Sequence, residues 1–465
     1  MRWIGWSGMY SVYKKQKLQN DNKIQEWPSD CTENKAVKRE CLCNICYVPC
    51  SAQRNSNKKL RGDSAFEEME KLEFLNSDIP SNILCRLPSK TLLQFKSVSK
   101  GWYKLLSDRS FIQSQLQKQK PTVSGFIFQA KYQWCNEDIR TVSYIPVVES
   151  QGEGDSDKKV QQKGFDFLPE DVVMLASCNG IVCCRSCFPD QAQDPAVYVC
   201  NPSKKEWIKL QSTAVLDNLS TIGLAFDPTR DPIDISTKFK LVRVRQLETE
   251  EEDFFYAFEV YSFETGAWTK SNEICHCNNN LVKNNSVYVG GILHWRTDGD
   301  KVLTYDVEKE LSWLISVPIP SMEFETIPQA CIGDSEGRMH YAMVSEKGLH
   351  IWFLEDFFES KWTLKHSKSL QEIEEEHPWF YNLHQRVTEA VTYHTEPWMV
   401  PLAIKDGLLL LRVSTKLYLY EIETCSVKQA CSLSKLGPHI MFCPVVLPYS
   451  MSLVPLNPHR KLPLY

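Results

Sequence analysis

The side chains in this sequence with the greatest capacity for chemistry are its 18 cysteines. The tightest group lies near the N-terminus and comprises Cys41, Cys43, Cys46 and Cys50. Thiolates bind zinc, but structural zinc sites usually combine two separated pairs that bridge a longer loop. We therefore favour free thiols in a poorly ordered segment and predict no metal site, with zinc as the open alternative.

A second group of cysteines lies in the segment SCNGIVCCRSC, beside the apolar pair Ile181 and Val182. This pattern predicts a buried strand in which cysteine serves as a small hydrophobic residue. The triplet Cys275-His276-Cys277 is too short to chelate one ion well, and no matching pair follows it. The cysteines of the segment SCNGIVCCRSC, the second group, are Cys178, Cys183, Cys184 and Cys187. Because no signal peptide is recognisable, we expect the thiols of both groups and of the triplet to be reduced.

Acid–base catalysis by histidine is confined to the second half of the chain, since the first histidine is His276. His294, His340 and His350 lie in strand-like runs, where a structural histidine with satisfied hydrogen bonds is expected. The sequence contains no HExxH, GxSxG, P-loop or GxGxxG motif. We predict no catalytic residue and no cofactor, so the chain is not expected to be an enzyme.

Two acidic runs stand out, ETEEED at residues 248–253 and EIEEE at residues 372–376. Both lie between strand-like segments, and we expect them on exposed loops. Solvation is the usual role of such runs. A sharper hypothesis is that they form part of a rim that attracts a basic substrate.

The overall composition excludes several classes of partner. A net charge of −5 and a pI near 6.1 give no reason to expect nucleic acid as a partner. No run approaches the roughly 20 apolar residues of a membrane helix, so we expect no membrane contact. The N-terminus turns polar too early for a signal peptide. We therefore expect a protein of the cytoplasm, the nucleus or both.

The chain of 465 residues is long enough for two or three domains. Residues 1–71 mix Lys, Asn, Gln and Ser without sustained periodicity, which predicts a disordered or poorly ordered segment. Beyond Pro121 the chain consists of short apolar runs separated by Gly, Pro, Asn and Asp, which predicts many short strands. The first folded unit therefore lies between these two regions.

Residues 77–112 carry apolar side chains at spacings of three, four and seven, which predicts three short amphipathic helices. Asp78 is expected to cap the first helix, Leu87-Pro88 to end it, and Ser89 to cap the second. Residues 113–120 are expected to extend the third as a polar connector. A unit of this size cannot bury all of its apolar surface. It therefore either docks on the rest of this chain or is covered by a partner.

Five later segments share a strand, a polar turn and an aromatic or apolar return strand. This repeat predicts a β-propeller, for which we expect six blades. The best copy joins Gly290-Gly291 to Tyr305-Asp306 and Trp313, and its glycines are expected to let a strand pass close beneath a neighbouring backbone. Residues 385–455 are expected to supply closing strands. The return positions are Trp207, Trp268, Trp313, Trp362 and Val427, separated by 61, 45, 49 and 65 residues.

The helical stretch resembles the F-box in its plant form. The resemblance is carried without gaps by Ile83-Leu84, Leu87-Pro88, Leu92-Leu93, Phe95, Val98, Lys100 and Trp102. One departure concerns the leading Leu-Pro pair of the family, which is Leu75-Asn76 here. That pair normally touches the partner, which puts the affinity of this copy in doubt.

The strand-rich region resembles the F-box-associated domain of plant F-box proteins, and its best repeat resembles a kelch repeat. The matching pieces are SCNGIVCC, VCNPSKKEW, GLAFDP, FEVYSFETGAW and GGILHW, in that order along residues 177–295. The resemblance implies an α+β multidomain chain. A three-helix F-box at residues 72–120 would be followed by an all-β, kelch-like propeller at residues 121–458.

The resemblance also implies a function. F-box domains bind a Skp adaptor, which links them to a cullin–RING ubiquitin ligase, so this chain would be a non-catalytic substrate receptor with a protein target. Its alternatives are a propeller binding module acting outside a ligase and a propeller enzyme, since the fold alone excludes neither. The implied adaptor-binding residues are Leu75, Ile79, Pro80, Ile83, Leu84, Leu87, Pro88, Leu92, Phe95, Val98, Trp102 and Leu105.

Overall fold

The structure is a computed structural model. Leu75, the N-terminal cysteine group and the predicted poorly ordered segment lie outside the residues that it describes. The described residues are 78–131, 138–147, 165–187, 196–210, 221–229, 238–248, 254–392, 397–436 and 444–456.

Four helices open the described chain, where three were predicted. They are α1 (Asp78–Leu84), α2 (Ser89–Phe95), α3 (Lys100–Ser107) and α4 (Arg109–Lys118). The additional helix begins because Asp108 has an extended backbone and its carboxylate accepts hydrogen bonds from the backbone N–H groups of Ser110 (2.9 Å) and Phe111 (3.3 Å). The predicted extension of the third helix is therefore a separate helix with its own cap.

The predicted cap at Ser89 is wrong and the cap of α3 was not predicted, while Asp78, the other predicted cap, is the first residue of α1. Ser99 caps α3 by accepting a hydrogen bond from the backbone N–H of Trp102 at 3.1 Å. Ser89 is not a cap, because Pro88 occupies the capping position of α2 and Ser89 lies inside the helix. The hydroxyl of Ser89 instead accepts a hydrogen bond from the side-chain amide of Gln115, at 3.4 Å.

Beyond the helices, the described chain is dominated by β-strands. The first part of this region contains β1 (Gly125–Lys131), β2 (Asp138–Pro146), β3 (Val172–Cys178), β4 (Ile181–Ser186), β5 (Val197–Asn201), β6 (Glu206–Leu210), β7 (Thr221–Ala225), β8 (Lys240–Glu248), β9 (Phe254–Ser262) and β10 (Ala267–His276). The following part contains β11 (Leu281–Val289), β12 (Ile292–Thr297), β13 (Lys301–Asp306), β14 (Leu311–Ser316), β15 (Gln329–Ser335), β16 (Arg338–Ser345), β17 (Gly348–Asp356) and β18 (Lys361–Lys368). The last part contains β19 (Met399–Lys405), β20 (Leu408–Val413), β21 (Lys416–Glu421), β22 (Val427–Ser432) and β23 (Val445–Tyr449).

The strands form antiparallel meanders of four, in the order β3–β6, β7–β10, β11–β14, β15–β18 and β19–β22. The predicted repeat is confirmed, because each of its five return positions lies in the fourth strand of a meander. β23 is hydrogen bonded to β1, which is hydrogen bonded to β2, so the end of the chain pairs with the start of the strand-rich region. The described chain is therefore a helical unit followed by a β-propeller.

The predicted six separate blades are not found among the described strands. Only four sheets have four strands or more, and the sheet β2-β1-β23 has three. The difference arises because the meanders β15–β18 and β19–β22 form one eight-stranded sheet. They are joined where β15 runs parallel to β19, with Gly333 opposite Ile404 and Asp334 opposite Lys405.

The strand order defines two faces of the propeller. The first strand of each meander lies innermost, and β3, β11, β15, β19 and β23 together line a narrow central cavity. The turns between first and second strands lie on one face, which we call the proximal face; they are at 178–181, 289–292, 335–338 and 405–408. The turns between second and third strands, at 297–301 and 345–348, lie on the opposite face, which we call the distal face. The helical unit enters at the proximal face, because Gly125 at the start of β1 pairs with Tyr449 at the end of β23.

The connection from β18 to β19 contains two further helices, α5 (Leu370–Glu376) and α6 (Leu383–Thr392), separated by a 3₁₀ turn at Pro378–Phe380. The second acidic run was predicted on a loop but lies in α5. The capping box formed by Ser369 and Glu372 starts this helix, and burial of Leu370 and Ile373 holds it on the propeller. The predicted closing strands from residue 385 begin only at Met399, since α6 precedes them.

The double glycine at positions 290 and 291 has a different role from the predicted one. Both residues have positive φ, +60° and +99°, in the turn between β11 and β12. A Cβ at position 290 would meet nothing within 4 Å. The turn conformation therefore selects glycine here, rather than close passage beneath another backbone.

Candidate functional site

The helical unit is organised around a small apolar core. Leu92 and Leu106 are fully buried, and Leu84 is nearly so. The rings of Phe95 and Trp102 meet edge to face with centroids 5.7 Å apart, which fixes α2 against α3. These contacts stabilise the unit internally, and burial removes the three leucines from direct contact with a partner.

Polar side chains of α4 hold the end of α1 in place. The Gln119 side-chain amide donates to the backbone carbonyl of Arg86 at 2.8 Å, and the ammonium group of Lys118 donates to the side-chain carbonyl of Asn82, also at 2.8 Å. The buried amide of Gln115 lies 3.5 Å from the carbonyl oxygen of Leu87. Helix α4, which was predicted as an extension of α3, therefore positions the Leu87-Pro88 turn between α1 and α2.

The predicted adaptor-binding residues fall into three groups by exposure. Leu84 and Leu92 are buried, so they act on a partner only through the fold of the unit. Half-buried residues pack against the core and present one edge to solvent; these are Leu87, Phe95, Trp102 and Leu105. Exposed residues are Pro80, Ile83, Pro88 and Val98. Ile79 belongs to α1.

The exposed apolar side chains are large enough to mark a contact surface. Ile83 is 61% exposed, Val98 69% and Tyr103 58%. Tyr103 was not among the predicted residues, although a signal for it existed. Neighbouring residues on a helix point about 100° apart, so Trp102 and Tyr103 cannot both face the core. We call Pro80, Ile83, Pro88, Val98 and Tyr103 the exposed apolar set.

The helical unit is strongly basic although the chain as a whole is acidic. Residues 78–120 contain eight Lys and Arg side chains and two Asp side chains, against a net charge of −5 for the whole sequence. Burial, followed by repulsion from Lys204, lowers the pKa of Lys96. This unit therefore presents apolar side chains in a positive field, a combination suited to an acidic protein surface.

The helical unit also packs on the propeller. Its buried residues Phe111 and Leu116 belong to the same apolar cluster as Leu453, Val454 and Phe226 at the proximal face. The alternative that these helices dock on the rest of the chain is thus correct for part of their surface. The exposed apolar set is not covered by this packing.

The histidines singled out in the sequence lie in strands. His294 is completely buried and stacks on Phe357 at 5.8 Å, and neither ring nitrogen has a hydrogen-bond partner among the described residues. Burial lowers the pKa of His294 to about 3, so its ring is neutral and its predicted hydrogen bonds are missing. His340 is held through Nδ1, 3.1 Å from the carbonyl oxygen of Arg338, and burial lowers its pKa. Burial also lowers the pKa of His350.

The second cysteine group is buried as predicted. Cys178, Cys183, Cys184 and Cys187 are all free and buried. Burial raises the pKa of Cys178 to about 12, and the pKa of Cys183 also lies well above its usual value. These thiols remain protonated at neutral pH and serve as apolar packing.

Neither a metal centre nor a membrane segment is visible in the described part of the chain. Among the described residues, no group of three or more His, Cys, Asp or Glu side chains is placed to hold an ion. None of the described helices combines the length and apolar character needed to cross a bilayer. What the described geometry offers instead is a set of exposed apolar side chains on the helical unit.

Comparison with known proteins matches both parts of the chain. The F-box domain model matches residues 75–114, and the model described as "F-box protein At3g26010-like, beta-propeller" matches residues 162–456. F-box protein At5g49610 of Arabidopsis thaliana is 27% identical over 312 residues, which cover 62% of this chain and 77% of the relative. F-box protein At5g03970 of the same plant is 22% identical over 392 residues, covering 82% and 88%.

Proposed function

Since this chain belongs to the F-box proteins whose second domain is an At3g26010-like β-propeller, we propose that it is the substrate-recognition subunit of a Skp adaptor–cullin–F-box ubiquitin ligase. The observation that carries the proposal is the exposed apolar set on the helical unit. Ile83 and Val98 are more than half exposed, although their burial would be favourable by about 1.5–3 kcal/mol for each side chain. A partner surface that covers them gains this free energy.

The proposed partner of the helical unit is the Skp adaptor. The eight cations of residues 78–120 favour an acidic adaptor surface around the apolar contact. Leu84 and Leu92 maintain the helices, while the exposed and half-buried residues make the contact. The chain would act in the cytoplasm, the nucleus or both.

In this proposal the chain contributes no acid, base or nucleophile to ubiquitin transfer. The ligase supplies the charged ubiquitin-conjugating enzyme, and the propeller holds a target protein nearby. Linking the two converts an encounter in solution into an intramolecular one, with an effective concentration of roughly millimolar for a short tether. Buried, protonated cysteines and low-pKa histidines in the strands support a non-catalytic role.

The test is adaptor binding by the full chain carrying Ile83→Asp and Val98→Asp. A carboxylate forced into an apolar contact loses its hydration, so we expect co-purification with a recombinant plant Skp adaptor to fall at least tenfold. The matched control is Met322→Asp, the same apolar-to-acidic change at an exposed residue on the propeller, which should bind as the wild type does. Equal thermal melting of all three proteins establishes that the fold is intact.

Adaptor binding that is unchanged in the double variant would overturn the assignment of this surface. Changing Leu87-Pro88 to Ala-Ala provides a second variant, in the turn between α1 and α2 that α4 holds in place through Gln115. We expect it also to abolish adaptor binding, and its melting transition reports whether α1 and α2 stay folded, because Pro88 precedes α2.

The runner-up function is a propeller binding module that acts outside a ligase. The specific observation in its favour is Asn76 in place of the proline of the leading pair. Titration of the wild-type chain with the adaptor separates the two. Association with a Kd of about 1 μM or tighter, equivalent to roughly −8 kcal/mol, favours the ligase, and no association favours the module.

A further inference from the structure

We propose that the connection from β18 to β19 carries a docking surface for a segment of a partner protein that presents lysine or arginine side chains. The surface consists of Gln371, Glu374, Glu375, Pro378, Trp379 and Tyr381. The inference deepens the proposed function, because this segment would belong to the ligase target. It also stands independently, since the surface can bind such a segment whether or not the helical unit binds an adaptor.

The connection is a rigid platform. Phe380 and Leu383 are buried in the same apolar cluster as Leu370 and Ile373, and the ring of Phe380 meets that of Tyr418 edge to face at 4.9 Å. The carboxylate of Glu374 accepts hydrogen bonds from the backbone N–H groups at the start of α6, 2.8 Å from Asn382 and 3.0 Å from Leu383. The backbone that carries the surface side chains is therefore fixed before a ligand arrives, which lowers the entropic cost of binding.

Two large aromatic side chains on this platform face solvent. Trp379 is 59% exposed and Tyr381 66%, in contrast to Phe380 between them, which is buried. Tyr381 and Pro378 line a shallow concavity together with Gln371, Glu374 and Glu375 of α5. Exposed aromatic residues on an ordered framework are typical of a contact surface.

The charge around these rings determines the chemistry of the occupant. Residues 368–389 contain five carboxylates and two cations. Glu372 is engaged in the helix cap and Glu376 pairs with Lys368. Within the described parts of the chain, Glu375 accepts a hydrogen bond from Gln371 of the same concavity and from no other residue. A carboxylate beside exposed aromatic faces matches a lysine or arginine side chain, which gains both an ion pair and cation–π contact.

The position of the surface suits a receptor with two partners. The connection joins a fourth strand to the next first strand and therefore lies on the distal face. The helical unit packs on the proximal face, through the cluster that includes Leu453 and Phe226. A segment bound at α5 would leave the exposed apolar set free for the adaptor.

The experiment measures binding of the full chain to fluorescein-labelled dodecapeptides by fluorescence anisotropy. Each peptide has a Gly-Ser backbone with three arginines, three lysines or three glutamates at the same positions. We expect the two basic peptides to bind and the acidic one not to bind. Affinity for the basic peptides should fall between 50 and 300 mM salt, because exposed ion pairs are screened.

The variant that tests the site combines Trp379→Ala, Tyr381→Ala and Glu375→Gln. Each lost contact is expected to weaken binding of the arginine peptide by about twofold to fivefold, and the triple variant by at least tenfold. The matched control combines Phe358→Ala and Glu359→Gln in the turn between β17 and β18, where an aromatic residue that is 86% exposed also lies beside a carboxylate. We expect the control to bind the arginine peptide as the wild type does.

Equal affinity for basic and acidic peptides would show that binding does not depend on charge, and equal loss in the test and control variants would show that it reflects only the general charge of the protein. Either result would overturn the proposal. Adaptor co-purification is measured on the same triple variant and should be unchanged. If the adaptor fails to bind the wild-type chain while the arginine peptide does bind, the ligase role fails and the docking surface stands.

Discussion

At the scale of single residues, His294 connects burial with the response of the protein to acid. Its ring lies in β12 without a polar partner, and burial lowers its pKa to about 3. In the unfolded chain its pKa is about 6.5. Between these values the unfolded state binds a proton that the folded state does not, so stability falls as the pH decreases from about 6.5 toward 3.

We expect His294→Leu to reduce this loss of stability. From pH 6.5 to 5, His294 alone accounts for about 2 kcal/mol of the free energy of unfolding. Urea denaturation at pH 7 and pH 5 should therefore show a difference between the two pH values that is smaller by about that amount in the variant. The control is His384→Leu, a change at an exposed histidine in α6, which should keep the wild-type difference. Identical pH dependence in His294→Leu and the wild type would contradict the assignment.

The sequence predicted the burial of single side chains well where the apolar character of the neighbouring residues is enough to decide it. The cysteines of β3 and β4 lie among apolar neighbours, and they are buried as expected. Exposure within the F-box was harder to predict, because an amphipathic pattern identifies a face but does not say what covers it. Leu84 and Ile83 are adjacent and both apolar, yet only Leu84 is buried.

At the scale of elements, the structure requires glycine at two positions for two different reasons. Gly290 has a positive φ in an open turn, whereas Gly333 lies in β15 at the parallel contact with β19. A Cβ at position 333 would collide with the backbone carbonyl oxygen of Ile404. The second glycine therefore keeps two meanders in one sheet.

We expect Gly290→Ala to cost about 1 kcal/mol, the penalty for an ordinary residue with positive φ. Gly333→Ala should cost about 3 kcal/mol or more, because rigid backbone atoms must move apart. Chemical denaturation of the two variants beside the wild type provides the comparison. Equal destabilisation would show that the contact between β15 and β19 can relax without cost.

The helices show how much of an element a sequence pattern reveals. The amphipathic spacing of residues 77–112 predicted helices at the observed places. The break at Asp108 was missed, because the residues around it continue a helical pattern and only the capping hydrogen bonds separate α3 from α4. The acidic run in α5 was assigned to a loop, since its two buried anchors, Leu370 and Ile373, are too few to give a strong periodic signal.

At the scale of the whole molecule, the end of the chain closes the ring. β23 pairs with β1 from Gly125 opposite Tyr449 to Gln129 opposite Val445. The segment after β23 is buried, and the side-chain amide of Asn201 donates hydrogen bonds to the carbonyl oxygens of Ser452 (3.2 Å) and Val454 (2.7 Å). The first and last parts of the propeller therefore stabilise each other.

We expect a chain that ends at residue 443 to lose its cooperative thermal transition. It lacks at least five buried apolar side chains, each of which contributes roughly 1.5–3 kcal/mol, and the sum is comparable to the whole stability of a typical domain, about 5–15 kcal/mol. A chain that ends at residue 456 keeps β23 and the buried segment and should melt as the full chain does. Cooperative melting of the shorter chain near the wild-type temperature would show that closure is dispensable.

By itself, the sequence determined the order of the two domains, the helical character of the first, the strand repeat of the second and the place of the tryptophans in its return strands. These properties depend on local periodicity and short motifs, which a chain carries along its length. The tertiary structure alone decided which apolar residues of the F-box stay exposed, that two meanders share one sheet, and that the acidic helix α5 lies on the face opposite the helical unit. Each of these depends on residues far apart in sequence, since burial and strand pairing are set by whichever distant segment occupies the neighbouring space.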